Sequence, residues 1–259
     1  MPSIVWETPM PLAAAVRQSI PATVILPATR ANRCEACPGR HDACATVRTS
    51  ELERYAMTRT SQTIAAGTAF VDEGEPALNV FTVVAGVVKL FKLLADGRRQ
   101  IVGFLVPGDM FGFAPNDRYT ASAEAVSSVT VCRCSRRQLE HAFAEFPGVE
   151  RQFLDAITRD LTAAQDQMVL LGRKTAHERV ASFLLSLFRR QPNDDDSIDL
   201  PMTRTDIADF LGLTTETVSR VFTVLKGSGC IAINGSSKVY ILDRDALAEL
   251  ADGAADEDD

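Results

Sequence analysis

The sequence has no apolar run approaching the roughly 18 residues that a membrane-crossing helix requires. Its opening stretch, MPSIVWETPMPLAAAV, holds an acid and three prolines where an export signal needs bases and a continuous apolar segment, so a cytoplasmic location is expected. Histidine is scarce. His41, His141 and His177 stand in no pattern resembling a nucleophilic triad, and the last two read as surface positions on helices. No glycine-rich phosphate loop leads into a helix. The compact Cys-x3-Cys-x2-Cys run of radical iron–sulfur enzymes is missing as well. These absences argue against an enzyme. Net positive charge is also lacking: the formal charge is −7, which looks wrong for a nucleic-acid binder until it is divided along the chain. Residues 243–259 carry eight acids against Arg244, so the other 242 residues sum to about zero. The terminal ADEDD reads as a solvated tail and says little about partners.

What is present is an ordinary globular balance, 46% hydrophobic and 24% charged over 259 residues, enough for one large or two modest domains and incompatible with wholesale disorder. Residues 1–50 are rich in Pro, Ala and Arg without sustained periodicity, and read as an extended arm with a cysteine loop. From residue 51 to 143 short apolar segments recur at 79–84, 87–94, 100–106 and 129–134, separated by turn residues at Gly74, Gly86, Asp96-Gly97 and Pro107-Gly108. Regular short strands of this kind predict a β-roll or jelly roll.

The segment 144–175 predicts a long helix with apolar residues at Leu154, Ile157, Leu161, Ala164, Met168 and Leu171, spaced 3, 4, 3, 4, 3. That spacing matches the seam of a parallel two-helix dimer. A helix packed on its own domain would show the same short pattern. Gly172-Arg173-Lys174 ends the seam.

Residues 176–259 begin with a second helix near Ala176 that buries Val180, Phe183, Leu184 and Leu187 and stops before Pro192. Two short helices follow around Leu211-Gly212-Leu213: one from about Thr205 burying Ile207 and Leu211, the next capped by Thr214 and burying Val218, Val221 and Leu225. The strands CIAI and KVYIL, joined by Asn234-Gly235-Ser236-Ser237, complete a winged helix-turn-helix, with Cys230 at the start of the wing as a core residue. Glu216, Ser219 and Arg220 lie at i, i+3 and i+4 on one face, beside Thr215 at the N-terminal end that enters the major groove in this motif. Arginine can bond guanine O6 and N7, glutamate can accept from cytosine N4, and serine can touch a base edge or phosphate. A solvated face with a Glu–Arg pair is the plain alternative. Arg173, Lys174, Arg179, Arg204 and Lys238 are available for phosphates, although residues at this density are commonly just solvated charges, and Lys89 and Lys92 read as exposed strand residues.

The run TRTDIADFLGLTTETVSRVFTVLKGSG resembles the DNA-binding signature of the CRP/FNR family of bacterial transcription regulators, and GRKTAHERVASFLL is most similar to its FNR and FixK branches. The resemblance covers nearly the whole chain from about residue 34. It implies an α+β architecture: an N-terminal cyclic-nucleotide-binding-like β-roll, a long dimerisation helix and a C-terminal winged helix-turn-helix. It further implies a homodimer on double-stranded DNA, an inverted repeat of TTGAT half-sites, Glu216 and Arg220 on the G·C pair, and Ser219 near a thymine. RNA polymerase is an implied partner, although the turn Ala95-Asp96-Gly97-Arg98-Arg99 is less acidic than the activating loop it resembles.

A cyclic-nucleotide site in such a roll would resemble a Gly-Glu pair followed by Arg-Ser. The stretch FGFAPNDRYTASAEAV at 111–126 has neither, so no cyclic nucleotide is expected. Six cysteines are present, and Cys34, Cys37 and Cys44 crowd into eleven residues, which asks for a metal. A four-iron cubane needs a fourth thiolate from far along the chain. Cys132 and Cys134 alternate onto one face of the same predicted strand, so geometry allows either. The family resemblance implies Cys132, leaving Cys134 as a small buried hydrophobe. The implied cofactor is a 4Fe-4S cluster on Cys34, Cys37, Cys44 and Cys132, and the implied role is an anaerobic, oxygen-sensing regulator whose cluster favours the paired helix. The loop between Cys37 and Cys44 has six residues, where the best-known FNR pattern has five. Two other readings stay open: zinc on Cys34, Cys37, His41 and Cys44 in a constitutive regulator, and purely redox thiols.

Overall fold

The computed structural model describes residues 60–114, 116–191, 196–235 and 237–253. Cys34, Cys37, His41 and Cys44, with the rest of the expected arm, lie outside the described residues. Eight strands come first: β1 (Thr60–Ile64), β2 (Ala69–Val71), β3 (Asn79–Ala85), β4 (Val88–Leu93), β5 (Arg99–Leu105), β6 (Met110–Phe111), β7 (Ser122–Ala125) and β8 (Val129–Ser135). They form two antiparallel sheets, β1-β8-β3-β6 and β2-β7-β4-β5, closed face to face as the expected roll. Alternation along the strands sends Val83, Val88, Ala123, Val129 and Val131 wholly inside, around the rings of Phe70, Phe81 and Phe111. Gly86 turns β3 into β4 with φ +81°, and a Cβ there would lie 2.4 Å from the Ser128 carbonyl oxygen, so only glycine fits.

Helix α1 (Arg136–Glu145) starts directly from β8 under a capping box of Ser135 and Gln138. Helix α2 (Pro147–Arg173) follows, opened by Pro147 at its first position. Its first turns bury Val149 and Ala156 with Leu139, Ala142, Phe146, Val80, Met110 and Cys134, on the outer face of the β1-β8-β3-β6 sheet. Phe153 meets Phe113 and Phe143 edge to face or tilted at the same place. Beyond that footing the expected seam is uncovered: Leu154, Ile157, Leu161, Ala164 and Met168 are exposed, Met168 at 67%. Leu171, placed in the seam by its spacing, is half-buried against this chain's own C-terminal core. The exposed stripe thus has five of the six positions.

Helix α3 (Ala176–Arg190) begins at a capping box of Thr175 and Glu178. Then come β9 (Ser197–Asp199), α4 (Arg204–Leu211), α5 (Thr215–Gly227), β10 (Ile231–Asn234), β11 (Lys238–Ile241) and α6 (Arg244–Asp252). The wing is a three-stranded sheet, β10-β11-β9, one strand more than the hairpin read from the sequence. Helix α6, also unread there, is capped by Asp243 and held by buried Leu247 and Ala251. The winged-helix core is continuous with the outer face of the roll: Val87, Phe91, Ile101, Phe104 and Val106 share one apolar cluster with Leu184, Ile207, Leu211, Val221 and Leu225.

That contact overturns the reading of Lys89 as exposed. Lys89 is 5% exposed, and its Nζ lies 2.8 Å from Glu124 and 2.9 Å from Asp206. Its face of β4 does point out of the roll, but α4, more than a hundred residues later, covers it. Lys92 does reach solvent, paired with Glu73 at 2.6 Å.

Candidate nucleic-acid interface

Helix α4 ends at Gly212, whose left-handed backbone (φ 63°) turns the chain into α5. Thr214 caps α5 by accepting from the Thr217 amide at 3.1 Å. Val218, Val221, Phe222 and Leu225 bury one face of α5 and so force the other outward. On that outward face stand Thr215, Glu216, Ser219 and Arg220, all exposed as the spacing predicts. Glu216 and Arg220 are 73% and 76% exposed, and Arg220 Nη2 donates to Glu216 Oε1 at 2.6 Å. The Ser219 hydroxyl donates back to the Thr215 carbonyl at 2.8 Å, and Thr215 Oγ1 lies 3.5 Å from Thr205 Oγ1 on α4. The Glu–Arg pair therefore presents donor and acceptor atoms side by side at the open end of the helix. Such a surface can read a G·C pair on its major-groove edge.

Several basic residues considered for phosphate contact have other work. Arg179 donates to the Lys174, Leu211 and Leu171 carbonyl oxygens at 2.8, 2.9 and 3.0 Å, closing the C-terminal ends of α2 and α4. Lys174 Nζ donates to Ser182 Oγ and the Ala251 carbonyl, both at 2.8 Å. Arg204 lies 3.6 Å above the ring of Phe222, and burial there lowers its pKa. These three hold the domain together. The pattern that predicted charge for them gave no sign of their carbonyl and ring partners, which come from other helices.

Asp206 was likewise unread. It closes the capping box of α4 with Thr203 and accepts from Lys89 and Arg99, both at 2.9 Å. Burial pushes its carboxyl up, but the hydrogen bonds from Lys89 and Thr203 and the lysine charge outweigh that and hold it below the ordinary 3.8.

Cys132 and Cys134 do share one face of β8, as alternation predicts. Cys134 is 4% exposed beneath α1 and α2, while Cys132 is half-buried between Ser61 of β1 and Thr82 of β3. Among the described residues no group of three metal-ligating side chains comes together. No helix among them is long and apolar enough to cross a membrane.

Comparison with known proteins agrees with this architecture. Residues 178–250 match the Crp-like helix-turn-helix domain, and residues 61–146 match the cyclic nucleotide-binding domain. The nitrogen fixation regulation protein FixK of Bradyrhizobium diazoefficiens is 41% identical over 204 residues, 77% of this chain and 86% of that protein. The transcriptional activator protein FnrL of Cereibacter sphaeroides is 36% identical over 236 residues, 88% of this chain and 94% of the relative. The solved structure of FixK2 from Bradyrhizobium japonicum superposes with a TM-score of 0.71 at 40% identity, covering 74% of this chain and 96% of that one. These relatives are transcription regulators and not enzymes. With both domains matched in order, the chain belongs to the CRP/FNR family of DNA-binding transcription regulators, in its FixK branch.

Proposed function

We propose that this regulator responds to oxygen and binds an inverted repeat of TTGAT half-sites as a homodimer while a 4Fe-4S cluster on Cys34, Cys37, Cys44 and Cys132 is intact. The setting of Cys132 carries this reading. Of the two cysteines on the ligand face of β8, Cys134 is sealed under α1, whereas Cys132 keeps access to solvent. The Cα partner of Cys132 is Ser61 in β1, so the chain enters the roll beside it. Sixteen residues separate Cys44 from Ser61, a covalent length of up to about 55 Å when extended, ample for three more thiolates to reach a cluster held at Cys132. The span matched to FnrL, 88% of this 259-residue chain, takes in residues 34–44, where the three proposed arm ligands stand. When bound, the cluster would supply an oxygen-sensitive tie between arm and roll through four thiolates.

The chain's own residues link that place to dimerisation. β8 runs from Cys132 into Cys134, which packs with Phe146, Val149 and Ala156 at the foot of α2. A shift of β8 therefore moves the base of the helix that bears Leu154, Ile157, Leu161, Ala164 and Met168. Pairing of two copies along that stripe would set two α5 helices about 34 Å apart, one turn of DNA. In this reading Arg220 and Glu216 take the G·C pair, Ser219 lies near a thymine, and Thr215 sits at the groove-entering end.

No cyclic nucleotide enters this scheme. Phe111 stacks on Phe81 at 5.0 Å inside the roll, Tyr119 is hydrogen-bonded to the backbone of Asn79, and Arg118 donates to the Gly74 carbonyl at 2.6 Å. RNA polymerase is the further partner expected of an activator; at the β4–β5 turn Arg98 is exposed and paired with Asp96, while Arg99 faces α4.

The test is anoxic purification followed by iron and sulfide analysis, visible spectroscopy, sedimentation and binding to a TTGAT inverted repeat, before and after air. The expected result is a brown dimer that binds the repeat and bleaches to a weakly binding monomer. Cys132→Ser should lose iron and Cys134→Ala should keep it. An iron-free, zinc-loaded dimer of unchanged mass in air would replace the switch with a structural zinc site in a constitutive regulator.

A further inference from the structure

The roll touches the DNA-binding domain directly, and most of the polar part of that contact falls on the scaffold helix of the helix-turn-helix. Arg99 of β5 donates through Nη2 to Asp206 Oδ1 at 2.9 Å and reaches Asp209 Oδ2 through Nε at 2.9 Å and Nη2 at 2.8 Å. Lys89 of β4 bridges Asp206 to Glu124 of β7. Gln100 Nε2 donates to the Asp209 carbonyl at 2.7 Å. Beside these charges Phe104 of β5 packs on Phe210 of α4 at 5.2 Å and on Phe183 of α3 at 6.0 Å. Arg190, at the end of α3, donates to the Phe104 carbonyl at 3.1 Å and to Asp109.

This contact lies behind the reading face. While α4 is docked on β4 and β5, Glu216 and Arg220 stay open to solvent, so docking does not mask the DNA surface. Lys174 and Thr175 are the only residues between α2 and α3. A domain swinging on so short a link would have to surrender rotational freedom when two copies engage a palindrome, and that loss weakens binding. A guanidinium held by two carboxylates of one helix, Asp206 through Nη2 and Asp209 through Nε and Nη2, fixes direction as well as distance.

We infer that Arg99 and Lys89, residues of the sensory roll, are positioning residues for DNA binding: they clamp α4 so that the two recognition helices of a dimer are held in the orientation an inverted repeat demands. The clamp gives the roll a second route to the DNA-binding domain, separate from α2. It depends on the family function, and only the choice of DNA probe depends on the TTGAT reading.

The test uses the full chain, purified anoxically, with Arg99→Asp, Asp209→Arg and the two combined. Fluorescence anisotropy measures binding to a duplex bearing the TTGAT inverted repeat and to one with a single half-site scrambled. Hydrogen exchange, without DNA, reads the amides of β5 and α4. Each reversal should speed exchange in α4 and β5 and weaken the full repeat about tenfold, while the single half-site loses less than about threefold. The combined variant, which restores an opposite-charge pair across the same gap, should recover most of the loss. Should a reversal fail to fold by circular dichroism, Arg99→Gln, which removes the charge without inverting it, gives the same comparison. Faster exchange with unchanged affinity for the full repeat, equal losses on both duplexes, or no recovery in the combined variant would overturn the clamp. If the wild type ignores the TTGAT repeat, the half-site reading has failed alone, and the same variants are compared on the inverted repeat that the wild type selects from random duplexes.

Discussion

Helices α4 and α5 are neighbours joined by a single tight turn, both capped by threonine and both carrying acids and arginines, yet their charges do opposite things. On α5 the partners are four residues apart, Glu216 with Arg220, and both stand in water. On α4 the partners of Asp206 and Asp209 are Lys89 and Arg99, drawn from another domain and largely out of water. An ion pair made within one helix turn can be exchanged for a base edge at small loss. One made between domains, with its groups desolvated, cannot be released without leaving a buried charge behind. The molecule keeps exchangeable charge on the face proposed to meet DNA and fixed charge where α4 packs on the roll.

The largest effect should come from the fixed side. Lys89→Ala strips Glu124 of the lysine it pairs with and leaves Asp206 with Arg99 as its remaining cation, and should destabilise the fold by about 3 kcal/mol in denaturant titration. Replacing Lys89 by Met, Asp206 by Leu and Glu124 by Gln together should recover most of that, less about 1 kcal/mol for the lost cap of α4. Because the folded pKa of Asp206 lies below 3.8, its contribution is full above that value and is lost as pH falls through the lowered one. A Lys89→Ala chain with unaltered stability would erase the distinction between the two helices.

On the exchangeable side, Arg220→Ala should weaken operator binding by about 1–3 kcal/mol and relax discrimination at one base pair. The same change should cost only a few tenths of a kcal/mol in folding stability, the ordinary worth of an exposed i,i+4 pair. Arg204 tests the seam between the helices, since its guanidinium on α4 rests on the Phe222 ring of α5. Arg204→Ala should lower stability by about 1 kcal/mol, which thermal unfolding resolves, through lost stacking and packing.

What the sequence made legible follows the same division. The reading face of α5, the exposed stripe of α2 and the shared face of Cys132 and Cys134 all rest on local periodicity, and all appear in the structure where that periodicity puts them. Lys89 was misread because the face of β4 it occupies is outward by local pattern and buried only by α4. Leu171 continues the heptad spacing but is claimed by the C-terminal core. Strand β9 has three residues beside an acidic run, too short for alternation to register, and α6 hides among acids with Leu247 and Ala251 as its buried anchors. Long-range partners leave no trace in the spacing of one segment.

Asp160 is the mildest case of a charge whose character is set from afar, and it carries the smallest expected effect. Its neighbour in sequence, Arg159, suggests an ordinary solvated pair on α2. Its carboxyl is nevertheless raised from 3.8 to about 6, first by lost hydration and then by the like charge of Asp109 in the β5–β6 turn, against the opposing pull of Arg159 and Arg190. A raised folded pKa means that the folded chain binds this proton more tightly than the unfolded one, so the ionised group opposes folding above about pH 6. That opposition fades as pH falls through 6 and is gone below 3.8, where both states are protonated. Asp160→Asn should therefore raise the melting temperature at pH 8 relative to wild type and show no such gain relative to it at pH 4. Solvent still reaches the side chain, which screens the interaction and keeps the gain below about 1 kcal/mol. A gain of equal size at both pH values would mean that packing of the amide, and not the ionisation of Asp160, governs this position.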